Sequence, residues 1–130
     1  MEIKLKTENK DFSIEINNNT MSISGKGISD SKNIEKIFTE TRDFLEKNIS
    51  IISQREKIFF VNINIEYFNK YINIFFSQKL HNLFKYFENL NDNKVISVEI
   101  TWKSNDEDLL NTAEDYRAWI RLPFKIVKES

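Results

Sequence analysis

Hydrophobic and polar positions keep two different periods along this chain, and the switches between them mark out its elements. Phe12, Ile14 and Ile16 alternate with Asp11, Ser13 and Glu15, the period-two pattern of a half-buried strand. Asn17-Asn18-Asn19-Thr20 predicts a turn, because asparagine tolerates left-handed backbone angles. Met21, Ile23 and Gly25 resume the alternation, so this stretch reads as a β-hairpin. Ahead of it Ile3 and Leu5 alternate loosely, and residues 1–10 read as an edge strand or a frayed tail. Gly25-Lys26-Gly27-Ile28-Ser29-Asp30-Ser31 is a loop ending in helix-capping residues. It lacks the spacing of a phosphate-binding P-loop, so its glycines turn the backbone. Ile34, Ile37, Phe38, Thr41, Phe44 and Leu45 then fall at helical spacing, with charged residues between them. That is an amphipathic helix covering a core.

The centre of the chain is Ile58 to Leu90. Ile58 to Ile65 is apolar or aromatic at most positions, with Asn62 and Asn64 marking a polar face. Lys70-Tyr71-Ile72-Asn73 reads as a short break, and Ile74 to Leu90 as a helix. Phe76, Leu80, Leu83, Phe84, Phe87 and Leu90 line one side of that helix. Asn91-Asp92-Asn93-Lys94 is a turn. Ile96, Val98, Ile100 and Trp102 alternate with Val95, Ser97, Glu99 and Thr101 in a further strand. Ser104 and Glu107 have capping-box spacing, and Asp106, Glu107 and Asp108 suit the first turn of a helix buried through Leu109, Ala113 and Tyr116. Leu122 to Val127 is a last short strand, with Pro123 at its start, where a missing N–H is tolerated.

These elements predict a mixed α/β (α+β) fold: a single-layer mixed sheet of about five strands with about three helices, in the order ββαβαβαβ. At 130 residues, with two glycines, one proline and no linker-like stretch, residues 1–130 are expected to form one domain. Nineteen basic and twenty acidic side chains leave a net charge of −1, which gives no pull toward nucleic acid or an anionic membrane. The sequence has no cysteine, so disulfides, thiolate metal sites and thiol catalysis are excluded. Met1-Glu2-Ile3-Lys4 lacks the apolar core of a signal peptide, and no apolar window is long enough for a membrane span. The expectation is a cytoplasmic protein without cofactor or metal.

Enzyme chemistry finds little purchase. His81 is the only histidine and has no second ligand or nucleophile near it in sequence, so it reads as a surface or boundary residue. Glu114 and Asp115 are adjacent, and on a helix they diverge by about 100°, too far apart to share a site. Asp106, Glu107 and Asp108 lack calcium-loop spacing.

Several short motifs occur in an order that points further. Ser22-Ile23-Ser24-Gly25-Lys26-Gly27-Ile28 precedes the first helix, and Glu66-Tyr67-Phe68-Asn69 ends the central strand. Val98-Glu99-Ile100-Thr101-Trp102, Asp106-Glu107-Asp108, Ala113-Glu114-Asp115-Tyr116 and Pro123-Phe124 follow. In that order, over roughly residues 11–127, the chain resembles the SiaC family of small bacterial regulatory phosphoproteins. The resemblance implies an anti-anti-sigma-factor-like fold and a partner-switching role in signalling, without enzymatic activity. It implies three protein partners: a diguanylate cyclase that the unphosphorylated form activates, a histidine-kinase-like Ser/Thr kinase, and a PP2C-type phosphatase. Cyclic-di-GMP signalling and biofilm regulation are the implied output. A phosphate suits such a switch, since it adds about −1.5 to −2 charges to a surface built around a neutral hydroxyl.

One departure stands out. The family's phosphoacceptor is a Thr directly after the motif Asn, whereas Lys70 follows Asn69 here. The stretch from Asn69 to Trp102 is about four residues longer than the family's, which lets Asn73 serve as the motif Asn instead; Ile74 then follows it. Under either alignment the Thr is replaced, which leaves three readings: Ser77 as a shifted acceptor, a constitutive binder with no switch, or divergence to another partner. The resemblance places partner binding on Glu66, Tyr67, Asn69, Lys70, Tyr71, Asn73, Ser77, Gln78 and His81. The competing expectation is a self-associating domain, a homodimer whose Phe-rich helix is partly exposed in the monomer.

Overall fold

The computed structural model describes residues 2–6, 11–26, 31–66 and 70–129, with the backbone alone described at 31–32 and 70–74. The strands are β1 (Glu2–Lys6), β2 (Phe12–Asn17), β3 (Thr20–Gly25), β4 (Ile58–Ile65), β5 (Ser97–Ser104) and β6 (Phe124–Lys128). The helices are α1 (Ser31–Arg55), α2 (Lys70–Asp92) and α3 (Glu107–Trp119). The strands lie side by side in sequence order. β1, β2 and β3 are antiparallel, and β3 through β6 are parallel, each parallel step carrying one helix. Crossovers of one hand, stepping in one direction, put all three helices on the same side of the sheet.

Alternation along the strands matches that two-layer build. Ile14, Ile16, Met21, Ile23, Val61, Ile63, Ile100 and Trp102 are buried beneath the helices. Their neighbours Ser24, Asn62, Asn64 and Lys103 are exposed. A parallel sheet is usually covered on both faces. Here the outward positions are polar, so the second face can remain in water. The helical layer is knitted by aromatic rings. Phe12, Phe38 and Phe76 join β2, α1 and α2 with ring centroids 5.3–5.9 Å apart. Phe84, Trp102, Tyr116 and Phe124 join α2, β5, α3 and β6.

Several boundaries differ from those predicted. The sheet has six strands rather than about five, because residues 2–6 form an edge strand with Ile3 paired to Ile16 and Leu5 to Ile14. Lys70–Asn73 is no break: α2 begins at Lys70, since that stretch holds neither glycine nor proline to interrupt a helix. The α3 cap is Asp106, not Ser104. Ser104 ends β5 and its hydroxyl accepts from the Asp106 N–H (3.0 Å), while Asp106 is extended and its carboxylate accepts from the Leu109 N–H (3.1 Å). Glu107 turns to the Lys128 ammonium at 2.8 Å instead of reaching back to a serine cap. The strand expected from Val95 starts at Ser97, leaving Val95 exposed. The capping residues expected at 29–30 lie outside the described residues.

The two predicted asparagine-rich turns behave differently. In the hairpin, Asn18 takes the left-handed conformation (φ 55°), and Asn19 ties the turn to β4 by donating to the Ile58 carbonyl (3.0 Å). After α2 the left-handed position falls on Lys94 (φ 59°), where Val95 N–H closes back onto the Leu90 carbonyl (3.0 Å). A Cβ in that region costs about 1 kcal/mol. Lys94→Gly is therefore expected to stabilise the protein by about 0.5–1 kcal/mol. Urea denaturation should show a higher midpoint at unchanged slope; a lower midpoint would contradict the assignment.

Candidate functional site

The described ones among the predicted partner-binding residues sit where the central crossover leaves the sheet and along the helix that follows. β3 and β4 run parallel and end together, and the Glu66 N–H donates to the Gly25 carbonyl (2.9 Å) just beyond the last pair. Lys26 N–H donates to the Asp11 carbonyl (2.7 Å), bringing the hairpin's open end to the same edge. The Lys26 ammonium lies 3.7 Å from the Glu66 carboxylate, with both side chains more than half exposed. Such a pair contributes at most about 1 kcal/mol. Asp11, Ser13, Ser24, Lys26, Asn64 and Glu66 line an open polar depression of about 230 Å3 at this edge. Open α/β sheets place their binding surfaces at the carboxyl ends of strands.

Tyr67 and Asn69 lie outside the described residues. Lys70, Tyr71 and Asn73 fall in the first turn of α2, whose backbone alone is described. From Phe75 on, the side chains are described. Ser77 and His81 are half-buried and share one face at i, i+4 spacing, with exposed Gln78 beside them. The half-buried His81 matches the boundary residue read from sequence. Ser77 stands two turns into α2, beyond the first turn where the helix dipole favours a negative group.

Two links hold this half of α2 to its neighbours. On one side, the Lys79 ammonium reaches Glu35 of α1 at 3.7 Å and lies 5.3 Å from the Phe75 ring centre. On the other, the Tyr116 hydroxyl of α3 donates to the Ser77 carbonyl at 2.9 Å. Burial raises the Tyr116 phenol pKa above its ordinary value. The hydroxyl is therefore a standing donor at neutral pH. Neither Tyr116 nor Lys79 was picked out as a site residue in the sequence. Both contacts join residues far apart in the chain, and no spacing rule reports them.

Among the described residues no cluster of histidine, aspartate and glutamate could hold a metal ion. Nor is any described helix long and apolar enough to cross a membrane. The site is a surface of backbone, amide, hydroxyl and charged groups around the start of one helix.

Comparison with known proteins gives a consistent picture. A family model described as SiaC family regulatory phosphoprotein matches residues 3–129. No curated protein matches the sequence. Among solved structures, SiaC of Pseudomonas aeruginosa superposes with a TM-score of 0.74 at 14% identity, over 99% of both chains. Apo-SiaC from Pseudomonas aeruginosa gives 0.73 at 15% identity, over 98% of both. SiaC from the same organism, in a crystal structure of the diguanylate cyclase SiaD in complex with its activator SiaC, gives 0.71 at 15% identity over 99% of both. At such identities the superpositions establish the mixed α/β fold, and the family model carries the kinship.

Proposed function

The chain belongs to the SiaC family of regulatory phosphoproteins, and from that membership we propose that it is a bacterial partner-switch adaptor that binds and activates a diguanylate cyclase. Membership makes it a regulator rather than an enzyme. The observation that carries the proposal is the family match over nearly the whole chain, joined to the fold shared with a SiaC whose structure is known in complex with such a cyclase. Binding falls to the surface of Glu66, Tyr67, Asn69, Lys70, Tyr71, Asn73, Ser77, Gln78 and His81. The output is cyclic-di-GMP signalling in the cytoplasm, from a single domain.

The switch itself is altered. A histidine-kinase-like kinase and a PP2C-type phosphatase are the partners that would set and clear a phosphate, yet the family's Thr is replaced. Ser77, the candidate acceptor, is half-buried and sits past the turn where a phosphate gains from the helix dipole. We read the chain as a binder that has lost or changed its phosphorylation. The self-associating alternative draws little support from α2, because Phe76, Phe84 and Phe87 are fully buried within the protomer.

Affinity purification from native cells, with the bound proteins identified by mass spectrometry, tests the proposal. A diguanylate cyclase should be recovered, and its purified form should turn over GTP faster when the chain is added. Gln78→Arg, a surface change, should weaken that association about tenfold. Absence of any cyclase, with turnover unaffected, would sink the reading. Incubation with the cognate kinase and ATP should leave the intact mass unchanged. A stoichiometric phosphate gain that vanishes in Ser77→Ala would overturn the lost switch.

A further inference from the structure

We propose that Tyr116 is a positioning residue, whose hydroxyl sets the N-terminal half of α2 in the orientation that the partner reads. The inference rests on the adaptor reading for the partner's identity, and on geometry for everything else.

The Tyr116 ring is buried at a junction of three elements. It stacks on Trp102 of β5 (5.8 Å, 27°), meets Phe84 of α2 edge-on (5.2 Å, 89°), and touches Trp119 of its own helix (6.2 Å, 78°). These contacts leave the ring little freedom, so the hydroxyl is aimed rather than searching. It points at the Ser77 carbonyl, 39 residues away in sequence and 2.9 Å away in space. That carbonyl lies inside α2, where the helix already uses it as the acceptor for the N–H four residues on. A carbonyl carries two lone pairs, so the tyrosine takes the second without breaking the helix.

Location gives the bond its consequence. The buried anchors of α2 run from Phe76 through Leu80, Leu83, Phe84 and Phe87 to Leu90. From Leu83 on, Leu83, Phe84, Phe87 and Leu90 place buried apolar side chains in every turn. Around Ser77, Gln78 and His81, the surface offered to the partner, the fully buried described anchors are Phe76 and Leu80, with Phe75 partly buried beside them. The Tyr116 hydroxyl bond and the Lys79–Glu35 pair, whose glutamate is exposed, brace this half from opposite sides. The ion pair is the weaker brace, since it is long (3.7 Å) and water and salt screen the exposed Glu35 carboxylate. The partly buried Tyr116 bond is therefore the stronger of the two braces on this face.

Tyr116→Phe removes one oxygen and keeps the ring. In hydrogen–deuterium exchange, amides of residues 78–82 should exchange about five to ten times faster, as expected for one lost hydrogen bond. Strand amides in β4 and β5 should not change. In a Trp119→Phe background Trp102 is the sole tryptophan, and its emission should be the same with Tyr or Phe at 116, showing the ring still packed. The concentration of chain needed for half-maximal cyclase activation should rise by a similar factor. Unchanged exchange in residues 78–82, or an increase spread evenly over all helices, overturns the proposal. So does a local increase with activation untouched. If the wild-type chain activates no cyclase, the adaptor reading fails, and the exchange measurement still decides whether Tyr116 holds α2.

Discussion

Trp102→Ala is expected to cost about 3–5 kcal/mol of stability, the range for emptying a large buried aromatic site. Trp102 is fully buried on β5, in register with Ile63 of β4 and Ile126 of β6, and stacked on Tyr116. Removing the indole deprives strand, α3 and β6 of a common packing partner, and such a cavity relaxes only in part. Trp102→Phe should behave differently. The indole Nε1 is buried without a hydrogen-bond partner among the described residues. A buried unpaired donor costs about 1–3 kcal/mol, and phenylalanine sheds it. The loss in Trp102→Phe is therefore expected to stay below about 2 kcal/mol, the cavity being partly offset by the donor's removal. Urea denaturation of both variants checks this. Equal losses would mean that the indole N–H is satisfied in solution.

The second large effect belongs to Glu88. Its side chain is 4% exposed, yet it carries a carboxylate. The Arg121 N–H donates to it at 2.8 Å, and the Lys85 ammonium and Arg121 guanidinium each lie 3.3 Å away. Asp92 holds the same guanidinium at 2.7 Å. The carboxylate thus fastens the turn between α3 and β6 to the last turns of α2. These donors, the Arg121 backbone N–H first, hold the Glu88 pKa below its ordinary value against the opposing effect of burial. A depressed pKa fixes the sign. The unfolded chain binds its proton at higher pH than the folded one, so stability rises with pH between the two values. The contribution is whole above the ordinary glutamate value and is lost as pH falls through the folded value. Glu88→Gln should therefore lie below wild type at neutral pH, and the gap should close in acid. Glu88→Ala, which also strands the Arg121 N–H, is expected to cost about 2–3 kcal/mol at neutral pH. A gap between wild type and Glu88→Gln that stays constant down into acid would refute the assignment.

Much of the fold was legible because its elements are locally encoded. The alternation in 12–25, 58–65 and 95–102 marked strands and also told which face is buried, since period two admits one choice once a core exists. The stripe through Phe76, Leu80, Leu83, Phe84, Phe87 and Leu90 gave α2 its inner side in the same way. Errors cluster at ends. The cap of α3 fell on Asp106 because β5 runs on to Ser104 and takes the serine for itself. Helix α2 begins at Lys70 because Lys70 to Asn73 hold neither glycine nor proline, and asparagine and tyrosine are weak breakers. The edge strand at 2–6 was ambiguous, since a short loose alternation becomes a strand only if β2 offers it an edge.

The candidate site was less legible. Its location at the end of β4 and the start of α2 followed from the strand-turn-helix pattern and the family motifs. Ser77, Gln78 and His81 do fall on neighbouring positions of the helix. What supports them lies far off in sequence: Glu35 behind Lys79, and Tyr116 behind Ser77.

By itself the sequence determined the alternation of strands and helices, the inward face of each, the turn over Asn17 to Thr20, and the kinship carried by ordered short motifs. These depend on residues within a turn or two of one another. Only the tertiary structure decided that the strands lie in sequence order with every helix on one face. Only there does Glu88 find its donors at Arg121, and the Tyr116 hydroxyl the carbonyl of Ser77. Such contacts join groups some thirty to forty residues apart (separations of 33 and 39). Their geometry exists only once the sheet has fixed where each helix lies, and no local pattern of side chains encodes it.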